Sequence, residues 1–395
     1  MSVILRRMES SHTLRTRAVH AGRDDLTDLG LHAVPIDLST TYPSRDSRAE
    51  AARLDVLGTG AQAPGTPVYG RIGNPTVARF EEALAELEGC EAAVAFASGM
   101  AALSACLLAG VTQGRTHVVA WRPFYGTTDF LLGSGLLGTS VTWAGSLEEV
   151  AAALREETAF VIVETPANPT LTEVDLRALT RVCGDVPVLV DNTFATPVLQ
   201  RPTEQGAAIV LHSATKFLGG HGDVLGGVIA CGEEHARTLR QIRFATGAML
   251  HPLSGYLLLR GLSTLPLRVT AAAATAAELA GRIASHAAVS RVYYPGLMPD
   301  RPADQLRTGG AILSFDVIGD PHAVVGAVRL VTPAVSLGSV DTLIQHPASL
   351  THHIMDPVER ELVGIGDQLL RVSVGLEHVE DLWADLDQAL KAAAG

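Results

Sequence analysis

Six short and almost wholly apolar runs mark the middle of this chain: Ala92–Ala97, Val118–Ala120, Phe160–Val163, Val188–Val190, Ala208–Leu211 and Gly227–Ala230. Stretches of helical periodicity lie between them. Each run is too short for a buried helix and too continuously apolar for a strand with one wet face. Runs of this kind belong to strands covered on both faces, which is the condition of a mostly parallel sheet with crossover helices. The expected fold class is therefore α/β: a large domain with a mostly parallel sheet and helices on both faces. Ligands in such sheets sit outside the carboxyl ends of the strands.

The flanking segments differ in character. Residues 1–70 read as irregular, with a Gly/Pro/Ala-rich loop at Gly58–Pro67, and such a segment is expected to reach across to another subunit. A helix then starts at Asn74, which can cap it, with Pro75 in the first turn. Val77, Phe80, Leu84 and Leu87 form its apolar stripe, and Gly89 closes it. An Ala-rich helical stretch, Leu257–Ala287, is interrupted by Pro266 and can bridge two domains. Ala311–Val317 and Leu369–Val374 read as strands of a smaller C-terminal α+β unit, and Val379–Ala393 as the last helix. The expected division is an N-terminal arm (1–70), a large domain (71–262) and a small domain (263–395).

Composition limits the partners. Apolar residues are 47% of the chain and charged residues 18%, enough for a large core and too few charges for a disordered chain. A net charge of −12 disfavours nucleic acid or an anionic membrane. No apolar run approaches the roughly 20 residues of a membrane span. Met1–Ser10 has two arginines but no long apolar core of a signal peptide, and Met8 offers a second start. Cys90, Cys106, Cys183 and Cys231 lack zinc-type spacing and read as reduced thiols of a cytoplasmic protein.

Four strand ends carry reactive or polar groups. After Ala92–Ala97 come Ser98, Gly99 and Met100 at a helix start: either an anion site or an ordinary tight turn. After Val188–Val190 come Asp191, Asn192 and Thr193. This carboxylate can serve as a metal ligand, a ribose partner, the counter-charge of a cationic ring nitrogen, or a turn cap. After Ala208–Leu211 come Ser213, Thr215 and Lys216. A lysine among hydroxyls and apolar residues is partly desolvated and made nucleophilic; the bland alternative is a solvated loop lysine. Within Leu369–Val374, alternation sets Arg371 and Ser373 against Leu370, Val372 and Val374. Arg371 is either a carboxylate fork or a solvent-facing edge residue. An anion cradle, a ring-nitrogen partner, an amine nucleophile and a carboxylate fork are together what pyridoxal 5'-phosphate (PLP) chemistry on an amino acid needs.

These residues resemble the Cys/Met-metabolism family of fold-type I PLP enzymes, which includes cystathionine γ-synthase, cystathionine lyases, O-acetylhomoserine sulfhydrylase and methionine γ-lyase. The likeness runs from about Arg17 to the C-terminus. It is carried by YGRIGNPT at 69–76, SGM at 98–100, DNT at 191–193, SATK at 213–216 and SLG at 336–338. The resemblance implies that Lys216 is the Schiff-base lysine and proton shuttle, and that Asp191, with Thr193, serves the pyridine nitrogen. Tyr125 would stack on the ring and pass a proton to the leaving group. Ser98, Gly99, Met100, Ser213 and Thr215 would hold the phosphate. Tyr69 and Arg71 would reach the phosphate of a neighbouring subunit, in a dimer with shared sites assembled as a tetramer. Asn168, Ser336 and Arg371 would bind the carboxylate of an amino-acid substrate. The implied reaction is γ-elimination from a sulfur-containing or related γ-substituted L-amino acid, or alternatively γ-replacement.

The segment 336–352 resembles the methionine γ-lyase branch most. Thr127 stands where those lyases carry cysteine and cystathionine enzymes carry glycine. Arg243-Phe244 stands where the lyases carry Lys-Asp, and the loop Val56–Pro67 is longer than the family pattern. Asp341 is read as either a partner for a distal substrate ammonium or a helix-start carboxylate. Three rival readings are poorer. His346, His352, His353 and Asp356 lack the spacing of a metal site, so no metal is expected. Gly219–Gly227 lacks the GxGxxG of a nicotinamide fold. A non-catalytic protein on the same fold would have lost Lys216.

Overall fold

The structure, a computed structural model, describes residues 12–299 and 301–393. The reading of Met1–Ser10 falls outside them. Seven strands build the larger sheet: β1 (Ala92–Phe96), β2 (His117–Trp121), β3 (Ser140–Ala144), β4 (Thr158–Glu164), β5 (Val188–Asp191), β6 (Ile209–His212) and β7 (Gly227–Cys231). Their order is β1-β7-β6-β5-β4-β2-β3. The pairs from β3 to β6 are parallel, and β7 alone runs against both its neighbours.

The apolar runs need two covered faces, and they have them. On one face Ile162, Leu189, Ile209 and Leu211 pack with Leu103 and Leu107 of the helix Gly99–Thr112. On the other, Val161, Val163, Val188 and Val190 pack with Leu176 and Leu179 of the helix Leu176–Cys183. The helix Pro75–Glu88 starts on Asn74 Oδ1, which accepts from the Thr76 and Val77 amides, and ends at Gly89 with φ 75°. Its stripe residues Phe80, Leu84 and Leu87 are fully or almost fully buried.

A second sheet holds β8 (Val289–Tyr293), β9 (Ile312–Val317), β10 (Thr332–Pro333), β11 (Leu343–Gln345) and β12 (Leu369–Ser373), in the order β10-β11-β12-β9-β8. The helix Leu265–Ala284 joins the two sheets. Leu265 and Val269 belong to the core of the first, and Ala276, Leu279 and Ile283 to the core of the second. No described helix is long and apolar enough to cross a membrane. Cys106, Cys183 and Cys231 are buried free thiols, and Cys90 is half-buried.

Several expectations need correction. Residues 12–70 are not wholly irregular, because Leu14–His20 and Ser47–Gly58 are helices. Asp46 Oδ1 caps the second, so Val56–Gly58 is its last turn and the loop proper begins at Thr59. The Ala-rich stretch breaks at Ser263–Thr264 instead of at Pro266, which lies in the first turn of the following helix where its missing N–H costs nothing. Strands β3 and β8 carry no continuous apolar run. Each lies at the edge of its sheet, where one face stays partly wet and the apolar signal is halved.

Candidate active site

The strand ends converge on one cavity of about 520 Å3, lined by Ser98, Gly99, Met100, Tyr125, Thr127, Glu164, Asn168, Asp191, Thr193, Ser213, Thr215, Lys216, Ser336 and Arg371, among others. Ser98 heads the helix Gly99–Thr112, its Oγ accepting from the Ala101 amide. That leaves the first amides of the helix for an anion, since they have no carbonyl within the helix to bond. A Cβ on Gly99 would stand 3.1 Å from both Cα and Cβ of Ser213, so the glycine lets the two arms of the cradle close on each other. Thr215 is tied down separately, its Oγ1 donating to the Gly226 carbonyl at 3.2 Å.

Asp191 ends β5. Its Oδ1 accepts from the Thr193 amide at 3.0 Å and from Thr193 Oγ1 at 2.5 Å. Thr193 Oγ1 in turn accepts from the Ser213 amide at 2.9 Å, so the two strand ends are locked together. Burial pushes the Asp191 carboxyl above its ordinary value, and no ion pair with it exists among the described residues. A buried carboxylate without a cation fits a site whose ligand brings the positive charge, as a protonated pyridine nitrogen does.

Lys216 Nζ donates to Ser336 Oγ at 2.9 Å. Burial, and then the positive charge of Arg371, lowers its pKa to about 8. Ser336 has a φ of 86°, a backbone state that costs a non-glycine residue about 1–3 kcal/mol and persists only where the surroundings impose it. Here Lys216 holds its hydroxyl, and Arg371 Nη2 donates to its carbonyl at 2.6 Å. Gly338 lets this loop lie on the lysine, because a Cβ there would be 2.5 Å from the Phe217 nitrogen.

Arg371 sits in β12, the central strand of the second sheet, and is 2% exposed, so the solvent-edge reading fails. Its Nη1 donates to Asn168 Oδ1 at 2.8 Å. Gln345, with its carboxamide oxygen turned inward, accepts from the same guanidinium at 2.8 Å. Burial lowers the Arg371 pKa to about 10, which still leaves it cationic at neutral pH.

Three contributors, Glu164, His352 and Gln345, are given no part in the site by the sequence reading. Glu164 at the end of β4 accepts from the Tyr125 amide at 2.9 Å and the Asn168 amide at 2.8 Å, and so positions two candidate residues at once. Burial, then the nearby Asp191, pushes its carboxyl upward. The signal was present: Glu164 directly follows the apolar run Phe160–Val163, as Asp191 follows its own. His352 lies within 3.2 Å of the Phe124 carbonyl and, with burial lowering its pKa to about 4, stays neutral. Gln345 had no local signal. His346 contacts Ser349 Oγ and the Asp367 carbonyl. Asp341 neither heads a helix nor lines the cavity, contrary to both readings of it. Tyr69 and Arg71 also lie outside this cavity; Arg71 packs beside Phe244 on another surface.

The residues present fit PLP. It would be held by Lys216, by Asp191 and by the Ser98–Met100 and Ser213–Thr215 arms. Condensation with its aldehyde needs a neutral amine, and Lys216 loses its proton near pH 8. Reconstitution of the apo-protein is therefore expected to quicken as pH rises through about 8 and to level off above it. In Arg371→Ala the loss of a nearby cation should move that midpoint upward. Stopped-flow absorbance checks both, and a rate flat from pH 7 to 9 would contradict the assignment.

A cavity of this composition at the carboxyl edge of a mostly parallel sheet defines an enzyme of the fold-type I PLP class. The family model for the Cys/Met metabolism PLP-dependent enzyme matches residues 15–391. The chain belongs to that family. It is 66% identical over 378 residues to an L-methionine gamma-lyase of Streptomyces avermitilis, covering 95% of this chain and 89% of that protein. It is 53% identical to an L-methionine gamma-lyase of Brevibacterium sandarakinum, over 98% of this chain and 99% of that one. Among solved structures, cystathionine gamma synthase from Xanthomonas oryzae pv. oryzae superposes with a TM-score of 0.88 at 36% identity, covering 97% of this chain and 99% of the other.

Proposed function

We propose that the protein is a carbon–sulfur lyase that performs γ-elimination on L-methionine or a similarly apolar γ-substituted amino acid, releasing a thiol, a 2-oxo acid and ammonia with consumption of water. The observation that carries this reading is the mixed lining of the cavity. Lys216, Arg371 and Asn168 line it together with Leu225, Val335, Leu350 and Ile354, which remain at least half exposed. Apolar side chains left open in a cavity favour an apolar ligand group such as a thioether. The lining carboxylates, Glu164 and Asp191, already accept bonds from Tyr125, Asn168 and Thr193. Within this chain's described residues no lining carboxylate is left for the distal ammonium of cystathionine. The names of the relatives at 66% and 53% identity point the same way.

Bound PLP supplies an electron sink for negative charge at the substrate Cα and Cβ. The chain's own residues do the rest. Arg371, Asn168 and Ser336 hold the substrate carboxylate. Lys216, as a neutral amine, takes the α-proton. Asp191, steadied by Thr193, keeps a proton on the ring nitrogen. Ser98, Gly99, Met100, Ser213 and Thr215 grip the phosphate. Tyr125, whose amide is fixed by Glu164, faces the cavity and delivers a proton to the departing sulfur.

Tyr69 and Arg71 complete the phosphate grip of a neighbouring subunit in this reading. Both lie outside their own chain's cavity, and Arg71 has no carboxylate partner among the described residues. Residues 1–70 then form the intersubunit arm, 71–262 the large domain and 263–395 the small one. The assembly is a dimer with shared sites, paired into a tetramer in the cytoplasm. The deciding experiment is a substrate panel of methionine, homocysteine, cystathionine, cysteine and O-acetylhomoserine, read as 2-oxo acid plus ammonia with and without added thiol. Methionine should give the highest kcat/KM. Turnover confined to cystathionine, or product formed only with added thiol, would refute the proposal.

A further inference from the structure

The structure assigns to Phe244 the role of a positioning residue that holds Arg71 ready for a cofactor phosphate. This inference rests on the shared-site reading above. Arg71 is an arginine at the surface without a carboxylate partner among the described residues. Free guanidinium side chains of this kind sample many rotamers, and fixing one costs side-chain entropy. Arg71 is nonetheless fixed. Its Nη1 donates to the Phe244 carbonyl at 2.8 Å, and its guanidinium carbon lies 4.7 Å from the centre of the Phe244 ring and 5.6 Å from that of Tyr69.

Phe244 can offer both contacts because of where it sits. It lies in the last turn of the helix Glu233–Thr246, which ends at Gly247 with φ 73°. Carbonyls of a last turn have no partner within the helix and attract cations. The turn itself is anchored by the preceding residue. Arg243 is buried, pairs with Glu81 and donates to the Ala95 carbonyl at 2.9 Å. With Arg243 turned inward, Phe244 is directed outward, 40% exposed, under Arg71. A carbonyl on one edge and a ring on one face restrain the guanidinium, and its other nitrogens stay open for an anion. An aromatic residue also restrains Arg71 without neutralising it, as a carboxylate would.

The test is PLP binding by full-length apo-protein, followed by absorbance and intrinsic fluorescence, which needs no turnover. Arg71→Ala should raise the Kd about ten- to a hundredfold, the size of a charge-assisted contact. Phe244→Ala should raise it about two- to fivefold, as for an exposed cation–π pair. Phe244→Leu should behave like Phe244→Ala, and Phe244→Trp like the wild type. In an Arg71→Ala background, Phe244→Ala should add nothing further. If Arg71→Ala weakens binding while Phe244→Ala does not, or if the two losses simply multiply, the positioning role is overturned. If Phe244→Leu binds as the wild type does, bulk and not the aromatic ring is what matters, and the assignment again fails. If Arg71→Ala itself binds PLP normally, the shared-site reading falls, and this inference with it.

Discussion

Lys216→Ala is expected to lower turnover by at least about 10³-fold and to leave the protein unable to fix its cofactor covalently. Loss of a positioned proton-transfer group alone costs about 10²–10⁴, and here the same amine is also the covalent anchor. Borohydride should attach the cofactor to the peptide containing Lys216 in the wild type and to no peptide in the variant. Misfolding is a poor alternative explanation. Burial lowers the Lys216 pKa from 10.5 to about 8, so folding opposes its charged form. Between pH 8 and 10.5 the unfolded chain binds more protons than the folded one. The amine's penalty is therefore full below pH 8 and fades as pH rises through that window. At pH 7 the apo-variant should melt no lower than the wild type. Turnover within tenfold of wild type would remove Lys216 from the mechanism.

Arg371→Ala is expected to lower kcat/KM by about 10²–10³, most of it as a rise in KM. Truncating one partner of a buried charge pair costs about 2–5 kcal/mol, and a handle that grips substrate and transition state alike appears mainly in KM. The change also strips bonds from Asn168 Oδ1 and from the carbonyl of Ser336, whose φ of 86° depends on such anchors. Arg371→Lys should recover less than tenfold, because an ammonium cannot reproduce a planar two-pronged donor. Steady-state kinetics on the best substrate of the panel decides it. Unchanged KM in both variants would show that the carboxylate is held elsewhere.

The legible part of this molecule lay wherever a local pattern had one physical cause. The runs that became β1, β4, β5, β6 and β7 could be read because strands buried on both faces must be apolar throughout. The helix Pro75–Glu88 could be read because its cap, its stripe and its terminating glycine all agree. β3 could not, because an edge strand with a wet face resembles a loop. Glu164 was passed over even though its position after an apolar run was the same signal that singled out Asp191.

The sequence by itself determined the sheet type and singled out the strand ends that carry Asp191 and Lys216. Those follow from rules that act within a few residues. Tertiary structure alone decided that Thr193 locks Asp191 to Ser213, that Arg371 lies in a central strand instead of at an edge, and that Ser336 is bent into place between two cations. These join residues 20 positions apart, as Thr193 and Ser213 are, and 120 apart, as Lys216 and Ser336 are. Such pairs are chosen by what the folded core brings together, and no local propensity encodes that choice.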